Sequence, residues 1–228
     1  MNNINKPVGT LYMMANSLGD SNDIPLRALE LLKEADLVVF EEDKAARQAL
    51  KRACLHREYL KFNEHNQKAT LSEVKAALKK GLSVTYMSDQ GTPTLEDPGR
   101  ALVELAFQIK AKIKVIPGAS SVTAALSACP FQINTFTYVG LLPRDNSARL
   151  AKLNSLRTAL RPLIILDAPY RFSNLISSLI EFFGQKQRAF VALDISGEDE
   201  NYFCGTLKEV QIQLSEKNKN LNFVLVVE

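Results

Sequence analysis

The segment Ser88–Gly99 combines residues that contact ligands with residues that stiffen a loop. It directly follows the apolar, strand-like run Leu82–Met87, and α/β proteins bind ligands beyond the carboxyl ends of their strands. Its glycines allow close approach of the backbone, its prolines restrict the loop, and its polar side chains are Asp89, Thr92, Glu96 and Asp97. We therefore predict a ligand-binding loop. The alternative role for Asp97 is to cap a helix that has Pro98 at its first position.

Three more segments follow predicted strands in the same way. Pro117–Ser121 leads from a strand into a helix and offers backbone N–H groups and two hydroxyls. Asp167–Arg171 follows the run Leu163–Leu166, and Asn16–Asp20 follows the first strand. The chain has neither a dinucleotide-binding glycine fingerprint nor a Walker-type phosphate loop. The sequence thus predicts a ligand site that several loops share and that differs from the common nucleotide-binding motifs.

Candidates for proton transfer follow two other predicted strands, and they are Glu42, Asp43, Glu64 and His65. A carboxylate or an imidazole in such a position can take a proton from a substrate hydroxyl. For the two carboxylates that follow Leu37–Phe40, the alternative is a solvated acidic turn. For His65, in the polar stretch Asn63–Asn66, it is a surface position without function. Two histidines and three dispersed cysteines make neither a metal site nor a disulfide framework.

Positive charge is concentrated locally. The 228 residues include 28 basic and 25 acidic side chains, and the net charge of +3 is too small to indicate a nucleic-acid-binding protein. On a helix, however, Lys44, Arg47 and Lys51 share one face. We predict that this stripe contacts phosphate groups, together with basic residues farther along the chain: Arg144, Arg149 and Arg171. A solvated helix face is the alternative.

Strand-like runs and helical stretches alternate along the chain, which predicts the α/β class with mostly parallel sheets. About five strands precede Pro117 and about five follow it, too many for one small sheet. We therefore predict two α/β domains, residues 1–117 and 118–228, with the ligand cleft between them.

Local signals predict where individual helices begin. Pro25 fits the first position of a helix capped by Asn22 or Asp23. Thr70–Glu73 has the pattern of a capping box and predicts a helix start at Thr70. In the second half, a helix is predicted over Ser147–Leu160.

The cellular compartment is predicted from the absence of membrane-spanning and secretory patterns in the sequence. No apolar run approaches the roughly 20 residues that cross a bilayer. The polar start, Met1–Pro7, lacks the basic-then-apolar pattern of a secretory signal. We therefore predict a cytoplasmic protein without a membrane partner.

The order of these segments matches a known family. The most specific piece is Ser-Asp-x-Gly-Thr-Pro followed by Asp-Pro-Gly within Ser88–Gly99. Less specific pieces surround it in the same order as in the family: Gly9–Tyr12, Leu18–Leu32, Glu42–Asp43, Asn63–Asn66, Pro117–Gly118, Leu141–Arg144, Ala168–Arg171 and Gly205–Leu207. The chain from Val8 to Glu228 thus resembles the ribosomal small-subunit RNA 2′-O-methyltransferases of the tetrapyrrole methylase superfamily.

This resemblance implies S-adenosylmethionine as the cofactor, held between two α/β domains, usually in a homodimer. Carried over by position, the cofactor contacts are Asp89, Gly91, Thr92, Leu95, Ser120, Ser121, Leu142, Asp167, Ala168 and Pro169. It also implies methyl transfer to a ribose 2′-hydroxyl of ribosomal RNA, with the small ribosomal subunit as the partner.

Three segments depart from the family's usual sequence. The family usually has Glu-Asp-Thr-Arg where this chain has Glu42–Arg47, and Glu-Ser-Pro-His-Arg where it has Asp167–Arg171. The basic residues of an Arg-Glu-Leu-Thr-Lys stretch are absent around Leu193–Gly197. Two alternatives stay open: a methyltransferase for a tetrapyrrole or another small molecule, and a cofactor- or RNA-binding relative without activity. Against the first, such enzymes usually have Gly-Gly-Asp-Pro where this chain has Gln90–Pro93.

Overall fold

A computed structural model of the chain describes residues 7–215 and 220–228. The chain divides into two compact units, Met1–Ser120 and Ser121–Glu228. The polar start Met1–Lys6 lies outside the described residues. The division predicted between residues 117 and 118 falls in the same connection, which follows the last strand of the first unit.

The first unit contains a five-stranded sheet in which every strand pair is parallel. In chain order its strands are β1 (Thr10–Met14), β2 (Leu37–Phe40), β3 (Leu60–Lys61), β4 (Val84–Met87) and β5 (Lys112–Ile116). They are arranged in the order β3-β2-β4-β1-β5. The helices between them are α1 (Leu26–Glu34), α2 (Asp43–Arg52), α3 (Gln67–Lys79) and α4 (Arg100–Gln108).

Apolar residues cover both faces of this first sheet. On one face, Phe40 packs with residues of α1 and α2, such as Leu32 and Ala49. On the other, Val39 packs with residues of α3 and α4, such as Leu78. Adjacent strand residues point to opposite faces, so a sheet that is buried on both faces needs the continuous apolar runs seen in the sequence. All five carboxyl ends lie at one edge of this sheet.

The second unit has a mixed sheet with the strand order β6-β7-β10-β8-β9. Its strands are β6 (Thr137–Leu141), β7 (Leu163–Asp167), β8 (Arg188–Leu193), β9 (Asn201–Thr206) and β10 (Phe223–Val227). Its helices are α5 (Ser121–Ala128), α6 (Asn146–Ser155), α7 (Phe172–Phe183) and α8 (Leu207–Ser215). One face of the sheet packs on α6, α7 and α8, and the other packs on α5.

The α/β class and the count of five strands in each half are confirmed, but the prediction of mostly parallel sheets is wrong for the second unit. Only β6 and β7 pair in parallel there, while β10 is antiparallel to both of its neighbours and β9 is antiparallel to β8. The connection 194–200 contains no helix, and a short connection without a crossover joins antiparallel strands. Alternation of strands and helices in the sequence does not reveal the direction of each strand.

Several predicted helix boundaries are also corrected. Helix α3 begins at Gln67, and the Thr70 hydroxyl donates instead to the Lys61 carbonyl at 2.7 Å. Before α1, the side chain of Asp20 caps a short 3-10 turn over Ser21–Asp23. Helix α6 ends at Ser155, short of the predicted Leu160. Helix α1 begins at Leu26 with Pro25 at the N-cap position and no side-chain cap, so the predicted caps Asn22 and Asp23 do not cap it.

Among residues 7–215 and 220–228, the helices are too short or too polar to cross a bilayer.

The close approach of Gly9 to the chain before β4 gives a test of the first sheet. A Cβ atom at Gly9 would lie 1.9 Å from the backbone oxygen of Leu82. We expect Gly9→Ala to lower the free energy of unfolding by about 3 kcal/mol, since backbone must move to admit the methyl group. Thr10→Ala, the neighbouring control, removes atoms and should cost less than ~1 kcal/mol. Urea denaturation measures both, and equal effects would contradict the observed packing.

Candidate functional site

The loop Ser88–Gly99 crosses the carboxyl edge of the first sheet, where the segment that follows β1 holds it. The side-chain amide of Asn16 donates to the carbonyls of Ser88 and Asp89 at 3.0 and 2.9 Å. The Asn16 N–H donates to the Gly91 carbonyl at 2.8 Å, and the Gly91 N–H donates to the Ser17 carbonyl at 3.1 Å. Gly91 has a φ of 63°, a conformation that glycine adopts without strain. Asn16, the first residue of the predicted ligand segment Asn16–Asp20, is therefore a positioning residue for this loop.

The segment that follows β5 also contacts this loop. The hydroxyl of Thr92 donates to the Ala119 carbonyl at 3.0 Å. Ser120 ends the first unit, directly after this contact, and Ser121 begins α5 in the second unit. The structure thus brings together the predicted cofactor residues of the first unit: Asp89, Gly91, Thr92 and Ser120, with Leu95 exposed farther along the loop.

Asp97 fixes the far end of the loop. Its carboxylate accepts hydrogen bonds from the Tyr86 hydroxyl at 3.2 Å and from the N–H groups of Thr94 and Gly99 at 2.6 and 2.7 Å. Thr94 and Glu96 have φ values of 77° and 64°, which are strained for residues with a side chain. Helix α4 begins only at Arg100, so Asp97 caps the turn before the helix and not a helix that starts at Pro98.

Reciprocal hydrogen bonds join this loop to the segment that follows β2. Glu41 Oε2 accepts from the Asp89 N–H at 3.0 Å, and the Glu42 N–H donates to Asp89 Oδ1 at 3.1 Å. Burial, with a smaller contribution from the nearby carboxylates, raises the pKa of Glu41 to about 7. Partial burial also raises the pKa of Asp89 and of Asp97. The site therefore holds carboxyl groups that retain protons more readily than free ones.

Next to these carboxyls lies a cavity of about 640 Å³. Its walls come from the segments after β2 and β3, the start of α3 and the loop after β4. The lining residues are Glu41, Glu42, Asn63, Glu64, His65, Gln67, Glu96, Asp97 and Pro98. Most of them are polar and five are acidic, so the cavity suits a polar or cationic group and repels anions.

Of the predicted proton-transfer residues, three line this cavity and one does not. Glu42 accepts from the Asn63 side chain at 2.7 Å, and Glu64 and His65 are exposed at the rim. Asp43 begins α2 and accepts from Tyr59 at 3.0 Å and from Lys61 at 3.2 Å. These hydrogen bonds, the one from Lys61 first, hold the pKa of Asp43 below its usual range.

Glu41 and Gln67 line the cavity but were not singled out in the sequence, and Glu41 is the ionisable one of the two. A signal was present, because Glu41 is the first residue after β2 and strand ends of a parallel sheet share one edge. Its partial burial and most of its acidic neighbours depend on segments that are distant in sequence, so no local pattern around Glu41 reveals them.

Metal binding is not indicated by the side chains of residues 7–215 and 220–228, where no group of three or more His, Cys, Asp or Glu residues is arranged to hold a metal ion. The cysteines Cys54, Cys129 and Cys204 are free thiols.

In the second unit, the predicted cofactor residues lie at the ends of β6 and β7. Leu142 is buried, and Ala168 and Pro169 lead into a 3-10 turn. The Asp167 side chain is fully buried, and its Oδ1 pairs with Arg171 at 3.0 Å and accepts from the Ala168 N–H at 2.8 Å. Its Oδ2 is buried without a partner among the described residues. Burial raises the pKa of Asp167.

Two of the predicted phosphate-binding arginines are buried within the second unit. Arg171, 9% exposed, donates to the carbonyls of Leu142 and Pro143 at 2.7 and 3.1 Å, besides its pair with Asp167. Arg149, 5% exposed, donates to the carbonyls of Pro143 and Arg144 at 3.0 and 2.7 Å. Their guanidinium groups shape the backbone after β6, so the prediction that they face RNA phosphates is corrected to a structural role.

The remaining predicted RNA contacts are exposed. Lys44, Arg47 and Lys51 lie on the outer face of α2, opposite its buried residues Ala46 and Leu50. Arg144 is exposed after β6. These four side chains have the exposure that binding of phosphates requires.

The sheet order and the loop at the carboxyl edge can be compared with known proteins. The family model described as tetrapyrrole (corrin/porphyrin) methylases matches residues 10–211. The chain belongs to this tetrapyrrole methylase family. Its predicted class of enzyme, a methyltransferase, is thereby confirmed.

Named relatives match nearly the whole chain. Ribosomal RNA small subunit methyltransferase I of Thermotoga maritima is 30% identical over 220 residues, 96% of this chain and 98% of the relative. Further relatives, 27–34% identical, carry the same name.

Two solved structures share the fold of this methylase. Diphthine synthase has a TM-score of 0.75 with 16% identity, covering 96% of this chain and 89% of that chain. Uroporphyrin-III C-methyltransferase from Thermus thermophilus, complexed with S-adenosylhomocysteine, has a TM-score of 0.67 with 18% identity, covering 95% of this chain and 97% of that chain. At these identities the likeness establishes the fold and does not by itself assign a function.

The structural role of Arg149 can be tested by a conservative substitution. Lysine keeps the charge of Arg149 but cannot reproduce its hydrogen bonds to Pro143, Arg144 and Ser178. We expect Arg149→Lys to lower the free energy of unfolding by about 2 kcal/mol, whereas exposed Arg144→Lys changes it by less than ~0.5 kcal/mol. Denaturant unfolding measures both. If Arg149→Lys instead keeps the stability of wild type but binds RNA more weakly, Arg149 contacts phosphates as the sequence predicted.

Proposed function

We propose that the protein transfers a methyl group from S-adenosylmethionine to a ribose 2′-hydroxyl of small-subunit ribosomal RNA. The observation that carries this proposal is the match over 98% of the Thermotoga maritima relative, whose name specifies ribosomal RNA of the small subunit. The ribose 2′-oxygen as the target atom follows from the resemblance of the sequence motifs. Cytoplasmic location and a homodimer stay predictions.

On the donor side, we assign S-adenosylmethionine to the loop after β4. The cofactor is cationic at its sulfonium, and the carboxylates of Glu41, Asp89 and Asp97 give this edge of the sheet a negative potential. Gly91 lets the loop pack closely on the neighbouring segments, since a Cβ atom there would lie 3.1 Å from the Leu18 side chain and 3.5 Å from the Ala119 carbonyl. The residues present therefore fit such a cofactor. The contacts assigned to Ser121, Leu142, Asp167, Ala168 and Pro169 stay predictions.

Bound S-adenosylmethionine supplies an electrophilic methyl group. The tasks of the chain are to align the acceptor hydroxyl behind the methyl carbon, to exclude water and to accept a proton. Alignment is the larger contribution, because positioning alone removes several kcal/mol from the barrier, about 7 or more in model reactions. The clamped loop suits this task, since Asn16, Thr92 and Asp97 each fix it at a different point.

On the acceptor side, the cavity favours a nucleoside over a tetrapyrrole. Porphyrin and corrin substrates carry carboxylates around their rim, and five acidic side chains line this cavity. A base and its ribose are uncharged, so an extruded nucleoside enters without that repulsion. Its phosphates can stay outside, near the basic stripe of Lys44, Arg47 and Lys51 on α2.

The deciding experiment is transfer of labelled methyl from S-adenosylmethionine to small ribosomal subunits from cells that lack this gene. Mass spectrometry of nuclease digests then locates the label. We expect label on one ribose 2′-oxygen, and little on subunits from cells that contain the gene. Label on a porphyrinogen and not on RNA would establish the small-molecule alternative. Cofactor binding with no transfer to either acceptor would indicate a binding protein without activity.

The basic stripe on α2 gives a second test. Reversing its charges in Lys44→Glu/Arg47→Glu/Lys51→Glu should weaken binding to ribosomal RNA at least ~10-fold and lower the slope of log K against log salt by about 2. Binding of S-adenosylmethionine should not change. The matched control reverses three exposed lysines at the end of α3: Lys75, Lys79 and Lys80. Filter binding at several salt concentrations measures the RNA affinity of both variants. An equal loss of affinity in the control would contradict a specific contact between RNA and the stripe.

A further inference from the structure

The carboxyl group of Glu41 lies where two parts of the site meet. One oxygen, Oε2, accepts the N–H of Asp89 in the loop assigned to the methyl donor, at 3.0 Å. The same side chain lines the cavity assigned to the acceptor. The backbone N–H of Glu41 continues the sheet ladder by donating to the Met87 carbonyl at 3.3 Å. Glu41 is thus held by the rigid strand end rather than by a mobile loop.

The groups around Glu41 are mainly acidic. Those facing it are Glu42 from the same segment, Tyr86 from β4, Asp89, Glu96 and Asp97 from the loop after β4, and Glu64 and His65 from the segment after β3. Lys44 acts on the neighbouring Asp89, but within the described ranges Glu41 itself forms no ion pair. A carboxylate in such surroundings binds a proton more tightly than an exposed one.

The other candidate bases have different partners. Asp43 is engaged by Tyr59 and Lys61 and lies outside the cavity lining. Glu42 accepts a hydrogen bond from Asn63 at 2.7 Å. Glu41 Oε1 accepts no hydrogen bond within residues 7–215 and 220–228. Glu41 therefore combines three properties. It is held by the end of a strand, it contacts the donor loop through Oε2, and its Oε1 is available to accept a hydrogen bond.

We propose that Glu41 is the catalytic residue that accepts the proton of the substrate hydroxyl through its Oε1 atom. This inference rests on the proposed methyl transfer. The hydroxyl oxygen forms a bond to the methyl carbon, the carbon–sulfur bond breaks with its electron pair going to sulfur, and the hydroxyl proton moves to Glu41. The products are the methyl ether, neutral thioether and protonated Glu41, which returns its proton to water. Hydrogen bonding to the Asp89 N–H keeps the carboxylate oriented throughout.

The test compares methyl transfer by wild type, Glu41→Gln, Glu41→Asp and Glu42→Gln between pH 5.5 and 9. Glutamine keeps the shape and the hydrogen bond from Asp89 but cannot accept a proton. For wild type, we expect the rate to fall below about pH 7, where Glu41 becomes protonated. For Glu41→Gln, we expect a loss of ~100-fold or more in kcat with little change in KM. Its rate should also lack the fall at acidic pH, which we call the acid limb. Glu41→Asp should retain the limb with a lower rate.

Each outcome has a defined meaning. Glu73→Gln, at an exposed position of α3, is the control and should match wild type. If Glu41→Gln keeps the rate and the pH profile of wild type, or if Glu42→Gln alone abolishes the limb, the assignment to Glu41 is overturned while the methyltransferase function stands. If wild type transfers no methyl to RNA at any pH, the proposed function fails instead.

A stability measurement separates loss of the base from loss of the fold. The pKa of Glu41 is raised from 4.5 to about 7, so between these values the folded state binds more protons than the unfolded state. The stability of wild type is expected to fall as the pH rises through this window, because ionised Glu41 is partly buried. Glu41→Gln lacks this ionisation, so its melting temperature relative to wild type should rise from pH 5 to pH 8. A melting temperature of Glu41→Gln that falls relative to wild type over this range would contradict the burial of the charge.

Discussion

The candidate site depends on one constraint, which is that the five strands of the first sheet run parallel. Their carboxyl ends share one edge, and segments distant in sequence meet there, as Asn16 and Ser88, 72 residues apart, do. Apolar residues on both faces make this arrangement stable, because a parallel sheet must be covered by helices on each side. The polar loops at the edge can therefore vary in sequence without loss of the fold.

The loop after β4 shows how such an edge becomes a binding surface. Asn16 and Thr92 attach it to the neighbouring segments, and Asp97 holds Thr94, which has an unfavourable backbone angle. Strain of this kind persists only where several hydrogen bonds oppose relaxation. The same compact arrangement brings Glu41, Asp89 and Asp97 together and partly buries them. Burial raises the pKa of all three, and neighbouring carboxylates add to this effect for Glu41 and Asp89. Order and altered acidity thus have a common cause.

Buried arginines play a comparable part in the second unit. Arg149 and Arg171 donate to the carbonyls of the segment that follows β6, and Asp167 balances the charge of Arg171. A guanidinium group has five donors in a fixed plane, which suits several carbonyls of one bend. From sequence alone these arginines resemble phosphate contacts, since residue type does not distinguish a buried cation from an exposed one. Exposure of Lys44, Arg47 and Lys51 follows more directly from helical periodicity.

Sequence by itself determined the α/β class, the five strands of each half, the loop Ser88–Gly99 and the family, because apolar periodicity and a contiguous motif are local signals. It also predicted Glu42, Asp43, Glu64 and His65 as candidates for proton transfer, and all of these except Asp43 line the cavity. Only the tertiary structure decided the antiparallel direction of β9 and β10, the burial of Arg149 and Arg171, and the position of Glu41 between the loop and the cavity. These properties arise from contacts between distant segments, and neither strand direction nor burial of a polar side chain leaves a local pattern in the chain.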